Sequence, residues 1–306
     1  MREAGLDPTV IVGTKLPELN RTNFRKGKSE YLVIEADDYN KSFWNYTPQI
    51  TVVLNVDEEH LDTYGNLKGV IDGFHQYLKN LPVESKAILN TKDPHTSKIE
   101  KDLECEVIHF NNEGEVLQWP LQIPGDFNQV NAEAAWQAVK LVGVTREDAE
   151  RAVSQFKGAW RRLEPLEPKS EGNKNILFFS DYAHHPTEVA ATLGALKERY
   201  GDKKVTVVFQ PHQERRLTEL FDEFKSAFDS ADKVILMPVY KVAGRDSREG
   251  KTSIDLKEAI SNKDIEYIED FKEALALLEE GVVVFMGAGS IDAQVREYFR
   301  SKLLPR

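Results

Sequence analysis

The 306-residue sequence predicts an α/β protein built on mostly parallel sheets. Three observations point there. Near-continuous apolar runs recur along the chain, as strands buried on both faces require. They alternate with stretches whose apolar residues repeat at three and four, the spacing of one helix face. Several runs also end in polar residues just before a helix opens, where open α/β sheets bind ligands.

The elements follow in order. "MREAGL" reads as the end of a helix and a turn. "EYLVIEAD" (30–37) and "QITVVLNV" (49–56) read as buried strands, and 67–81 as a helix. "SKAILN" (85–90) is a further strand. Residues 128–144 form a helix closing at Gly143, and Thr145 with Asp148 opens another over 145–156. The stretch "KGAWRRLEPLEPKSEGNK" carries prolines, glycines and dense charge, so it marks a boundary between domains 1–164 and 165–306. Strands at 175–180, 204–211, 233–240 and 281–289 then alternate with helices at 186–200, 216–230, 253–262 and 270–280. A last helix starts at Ser290, and 241–252 reads as a loop. Repeated βα units imply a parallel sheet with helices on both faces.

Bulk properties exclude several function classes. The net charge of −11 disfavours nucleic acid and anionic membranes as partners. No apolar stretch is long enough for a membrane span. Cys105 is the only cysteine, which excludes an intrachain disulfide and a cysteine-based zinc site. A cytoplasmic location is expected.

Polar groups gather at strand ends. Glu35 closes one strand and His60 follows the next; together they could hold a divalent cation, without identifying it. The stretch "DYAHHPTE" (181–188) follows the strand at 175–180, with Pro186 at the first helical position. His212 and the pairs Arg161-Arg162 and Arg215-Arg216 stand out as cations in an acidic chain, suited to clamping phosphate or carboxylate. "GAGSID" (287–292) is a glycine-rich turn before a helix. Each taken alone also reads as ordinary surface or structural polarity; their recurrence at equivalent places is what suggests one crevice.

The chain resembles the Mur ligase family. The resemblance rests on "EADDYNKSF" (35–43), "PQITVVLNVDEEHLDTYG" (48–65), "PGDFNQVNAEAA" (124–135), "WRRLE" (160–164), "DYAHHPTEVAATL" (181–193), "FQPHQERRLTELFDEF" (209–224) and "GAGSID", which run in the family's order. It implies a partial central ATPase domain followed by a Rossmann-like C-terminal ligase domain. The last three stretches point to the alanine-adding branch. The resemblance then implies ATP and Mg²⁺ as cofactors and UDP-N-acetylmuramate and L-alanine as substrates. Transfer of the γ-phosphoryl to the muramoyl carboxylate would give an acyl phosphate that the amine attacks.

By motif position, Glu35 and His60 would be Mg²⁺ ligands. Asn128, Arg161 and Asp181 would contact the nucleotide. Tyr182, His184, His212 and Arg216 would line the substrate side, with His184 and Arg216 catalytic. Phe127 stands where the branch often has histidine, and Gln213 where many members have arginine. The chain contains no G-x-x-x-x-G-K-[ST] loop and no counterpart of the family's UDP-binding domain, so residues 1–306 by themselves are expected to be inactive. A monomer or weak homodimer is expected. The alternatives are the murein-peptide recycling branch and a non-catalytic nucleotide-binding fragment.

Overall fold

The computed structural model describes residues 1–115, 117–167, 175–242, 250–260 and 263–301. The chain divides into two compact units, one of residues 1–122 and 126–157, the other of residues 123–125 and 158–306. The sequence reading puts the division at 164/165. Most of the expected 241–252 loop, the end of the helix expected at 253–262, and part of the boundary stretch lie outside the described residues.

The first unit opens with a short 3-10 turn, Arg2–Ala4, closed by Gly5 in the left-handed conformation. Three strands follow: β1 (Thr9–Leu16), β2 (Thr22–Arg25) and β3 (Leu32–Ile34). β1 lies between antiparallel β2 and parallel β3. A second three-stranded sheet is all parallel, with β4 (Ile50–Val53), β5 (Lys86–Asn90) and β6 (Glu106–Phe110) in that order. Its crossovers carry α1 (Leu61–Tyr64), α2 (Leu67–Lys79) and α3 (Thr96–Ile99). α2 is capped by the Asn66 side chain, which accepts from Gly69 N, and buries Val70, Ile71, Tyr77 and Leu78 beside Val53 and Leu89. α4 (Asp126–Val139) and α5 (Arg146–Gln155) complete the unit. As expected, Thr145 caps α5, accepting from Asp148 N, and Gly143 closes the preceding helical stretch at φ 84°.

Apolar side chains stay in solvent on the first sheet. Phe24 is 54% exposed and Leu32 57%, Val33 and Ile11 are exposed too, and so is Val52 on β4 of the second sheet. Exposed apolar strands add little burial free energy, about 25 cal/mol per Å² forgone. Amides of residues 1–157 should therefore exchange faster with deuterated water than those of 158–301. Equal or greater protection in the first unit would contradict this.

The second unit contains β7 (Glu164–Leu166), β8 (Ile176–Asp181), α6 (Pro186–Arg199), β9 (Val205–Phe209), α7 (Glu214–Glu219), α8 (Phe221–Ala227), β10 (Lys233–Leu236), α9 (Ser253–Ala259), β11 (Asp264–Tyr267), α10 (Phe271–Ala276), β12 (Gly281–Met286) and α11 (Ile291–Ser301). Its sheet runs β11-β10-β9-β12-β8-β7, parallel throughout except for antiparallel β7. Alternate residues face opposite sides. Val207, Phe209, Val234, Leu236 and Val284 pack with Leu193, Leu196 and Phe224 on one face. Val208, Ile235, Val283 and Phe285 pack with Phe271, Ile291 and Val295 on the other. Both faces are covered, which is why the strands are continuously apolar. The helix expected at 216–230 is two helices, with Leu220 at φ −109°, ψ 28° between them. The break leaves Leu220 buried in the core with Phe224.

Candidate active site

The polar end of β8 is built by its loop. Asp181 is 3% exposed, and its two oxygens accept from Ala183 N and Leu163 N at 2.7 Å each. The loop then enters α6 through a capping box. Pro186 occupies the first turn, the His185 ring accepts from Thr187 N, and the Glu188 carboxylate accepts from His184 N at 3.1 Å and His185 N at 3.3 Å. His184 Nδ1 lies 3.0 Å from the Tyr182 carbonyl oxygen and 3.4 Å from Glu188 Oε2.

Burial pushes the Asp181 carboxyl up to about 6, against the pull of its two N–H donors. The native state therefore holds this proton more tightly than the unfolded chain does. Its contribution to stability is present below pH 3.8, the ordinary value, and is lost as pH rises through about 6. The ¹³C resonance of the Asp181 carboxyl should titrate near pH 6; a midpoint at or below 4 would refute the assignment. Glu188 goes the other way. Burial disfavours its charge, but His184, Arg162 and the N–H donors outweigh that and hold it at about 2.

At the end of β9 the chain turns through Pro211 and His212 to Gln213, which sits at φ 68°. Tyr240, just past β10, clamps this turn. Its N–H donates to Pro211 O at 2.7 Å, and its carbonyl accepts from Gln213 N at 2.9 Å. Four rings form a row: Tyr182 to His184 at 5.1 Å, His184 to His212 at 5.8 Å, and His212 to Tyr240 at 5.5 Å with planes only 9° apart. Arg216 Nη1 lies 3.5 Å from His212 Nδ1. The Arg161 and Arg162 guanidinium groups lie 4.7 and 5.7 Å from the centre of the Tyr182 ring. Cations on an aromatic face are held by the ring's quadrupole.

The glycine-rich turn closes this end of the sheet. Arg161, 7% exposed, donates to Gly287 O, and its Nε is buried without a hydrogen-bond partner among the described residues. Gln210 Oε1 accepts from Ile291 N at 3.1 Å. Asp292, buried, accepts from Ser180 Oγ at 2.7 Å and from Arg296 Nε. The turn thus already has side-chain partners. Tyr182, His184, His212, Arg216 and Arg161 come together as the sequence suggests, within the second unit. Glu188 and Tyr240 were not singled out by sequence. The signal for Glu188 was its place two residues after Pro186; Tyr240 had no signal beyond ending an apolar run.

In the first unit, Glu35 and His60 keep separate company. Their strands are not paired with each other: β3 pairs with β1, and β4 with β5. Glu35 is exposed, and its Oε2 accepts from Gly13 N at 2.7 Å. His60, at φ 53°, places Nε2 3.1 Å from Asp38 Oδ1 and its ring 5.2 Å from that of Tyr39. Among the described residues no three His, Cys, Asp or Glu side chains are grouped to hold a metal ion. Asn128 lies in the first turn of α4, after the exposed Phe127.

Residues 15–124 match the Mur ligase middle domain, and residues 161–289 the Mur ligase, glutamate ligase domain. A UDP-N-acetylmuramate–L-alanine ligase of Hydrogenobaculum sp. is 34% identical over 97% of this chain and 71% of its own length. The chain belongs to the Mur ligase family. The identically named protein of Aquifex aeolicus is also 34% identical, covering 97% of this chain and 70% of its own. Among solved structures, UDP-N-acetylmuramate-alanine ligase MurC from Thermotoga maritima superposes with a TM-score of 0.76 at 23% identity, covering 99% of this chain and 70% of that one. MurF ligase from the same organism, in complex with ADP, gives 0.70 at 20% identity, covering 97% and 74%. These two establish the fold. Members of the family are ATP-dependent, amide-bond-forming ligases, and the α/β fold with parallel sheets is theirs. No helix among the described residues is long and apolar enough to cross a membrane.

Proposed function

We propose that this chain carries the ligase portion of an enzyme joining L-alanine to the carboxylate of UDP-N-acetylmuramate at the expense of ATP, a step of peptidoglycan precursor synthesis. The observation that carries the proposal is the extent of the relatives of that name, which run alongside 97% of the chain at 34% identity. The geometry supplies fitting groups. Two imidazoles, a phenol and Arg216 meet at the strand ends of the matched ligase domain.

A free carboxylate resists amines because oxide is a poor leaving group. Phosphorylation makes the leaving group phosphate, and the amine then displaces it. Arg216 would hold an anionic group of a substrate, while Tyr182, His184 and His212 line the space beside it. Asn128 and Arg161 are the proposed nucleotide contacts. Asp181, with both oxygens on backbone N–H groups, would serve the nucleotide by fixing the 161–163 turn that carries Arg161.

Mg²⁺ belongs to the reaction through the family resemblance. Glu35 accepts from Gly13 N and His60 lies beside Asp38, and no step is routed through the cation.

The test is a chimaera in which residues 1–306 replace the matching part of the Aquifex aeolicus relative. Given ATP, Mg²⁺, UDP-N-acetylmuramate and L-alanine, it should form UDP-N-acetylmuramoyl-L-alanine and phosphate. Residues 1–306 by themselves should give no product above a no-enzyme control. A chimaera that uses a peptide in place of L-alanine, or forms no product, would overturn the proposal.

A further inference from the structure

Strands β9 and β10 run parallel and in register up to the pair Phe209–Leu236. The next pair is His212–Tyr240, a single parallel bridge. Between the two pairs the chain advances three residues on the β9 side and four on the β10 side, so one residue of slip has entered. Two prolines account for it. Met237 N still donates to Phe209 O, but Pro211 has no N–H to return to Met237 O, which accepts from Ser253 Oγ at 2.7 Å instead. Pro238 lacks an N–H as well, and pairing resumes beyond it. An extra residue on one strand bends it and re-aims the side chains that follow. Without the slip Val239 would stand opposite His212; with it, Tyr240 does.

Tyr240 then grips three consecutive residues. Its N–H donates to Pro211 O at 2.7 Å, its ring lies on the His212 ring with planes 9° apart, and its carbonyl accepts from Gln213 N at 2.9 Å. Gln213 needs that grip. Its φ of 68° is costly for a residue with a side chain, and such a conformation persists only where its surroundings over-determine it. Tyr240 Cβ and Cγ also meet the 287–290 turn so closely that Gly289 has no room for a Cβ. One residue thus ties the turn after β9 to the glycine-rich turn after β12.

We infer that Tyr240 is a positioning residue of the substrate side: its ring orients His212, and its backbone holds the Gln213 turn that leads into α7 and Arg216. The inference rests on the ligase reading above, in which His212 and Arg216 line that side. Tyr240 acts through the ring it lies on and not on the reacting atoms. The proposed nucleotide contacts stand on other elements, Asn128 on α4 and Arg161 ahead of β7, so a fault at Tyr240 falls on the amino-acid step.

Two variants separate the ring from its hydroxyl and from its root. Tyr240→Phe keeps the ring. Tyr240→Leu keeps Cβ and Cγ beside the 287–290 turn and removes the stacking face. The residue is 40% exposed, so leucine leaves no large cavity; Tyr240→Met gives the same tests should the leucine variant fail to fold. In the first arm, chain 1–306 is followed by NMR of the histidine rings and by amide exchange. Tyr240→Leu should move the His212 ring resonances and speed exchange of the Gln213 amide, with the urea midpoint near wild type, and Tyr240→Phe should do neither. In the second arm, in the chimaera described above, Tyr240→Leu should lower kcat/KM for L-alanine roughly 10- to 100-fold, the scale of a small misplacement at a reacting centre. KM for ATP should stay near wild type, and Tyr240→Phe should restore full activity. Unmoved His212 resonances in Tyr240→Leu, or wild-type kcat/KM for L-alanine in that variant, overturn the inference. So does a KM for ATP that worsens in step, which marks a general structural fault. A Tyr240→Phe variant as impaired as Tyr240→Leu overturns it too, because the hydroxyl would then be a substrate contact. An inactive wild-type chimaera overturns the ligase reading instead, and the first arm then decides whether Tyr240 positions His212.

Discussion

Gly289→Ala is expected to destabilise the second unit by about 2–4 kcal/mol, the combined scale of overpacking and a lost helix cap. The cause is local and steric. A Cβ at this position would lie 2.5 Å from Gln210 Oε1 and 2.5 Å from Tyr240 Cγ, far inside contact distance. Neither neighbour is able to step aside cheaply. Gln210 Oε1 accepts from Ile291 N at the start of α11, and Tyr240 is tied by its backbone to Pro211 and Gln213. Relief therefore means losing the cap, lifting Tyr240 from His212, or both. Urea denaturation of chain 1–306 measures the first. The His212 ring resonances, shifted by the tyrosine stacked on them, measure the second. A variant within about 0.5 kcal/mol of wild type, the range of an inert surface change, with unmoved His212 resonances, would show that this turn has slack the structure does not reveal.

Asp292→Ala should cost about 3–5 kcal/mol, because it strips a buried ion pair of one partner. Asp292 receives Ser180 Oγ from β8 and both its oxygens meet Arg296 Nε, at 2.9 and 3.0 Å; Arg296 in turn reaches Glu164 on β7. One carboxylate thus joins α11 to two strands. Asp292→Asn keeps an oxygen for Ser180 and should lose less. If the alanine variant unfolds at the same urea concentration as wild type, the network is ornamental and the rigidity of the 287–292 turn has another origin.

Much of the second unit was legible in the sequence. Strands buried on both faces are largely apolar, so Ile176–Asp181, Val205–Phe209 and Gly281–Met286 announce themselves. Pro186 and Glu188 mark the start of α6 by local chemistry alone. The first unit was less legible, because its pairings are not local. β1 and β2 alternate partly exposed positions around Gly13 and Lys15 and carry no continuous apolar run. That β1, and not β4, is the neighbour of β3 depends on register, which no short window contains. The same limit separated Glu35 from His60. Glu35 directly follows β3 and His60 precedes α1, but Gly13, 22 residues upstream, is what Glu35 meets. In the second unit the residue types were visible and their ring-to-ring contacts were not, since these depend on how the 181–185 and 211–213 turns meet.

The antiparallel strand β7 has a colloidal consequence. It lies at one margin of the six-stranded sheet and carries Pro165 opposite Phe179. Proline offers no N–H to a newcomer, and its ring obstructs the approach of another chain. At the other margin, β11 carries Asp264 and Glu266, whose charges repel a second copy of themselves. Self-association of refolding chains should therefore begin elsewhere than on this sheet. Removing the guard at one margin, with Pro165→Val, should make the yield of refolded monomer fall more steeply with protein concentration while leaving the folded chain as soluble as before.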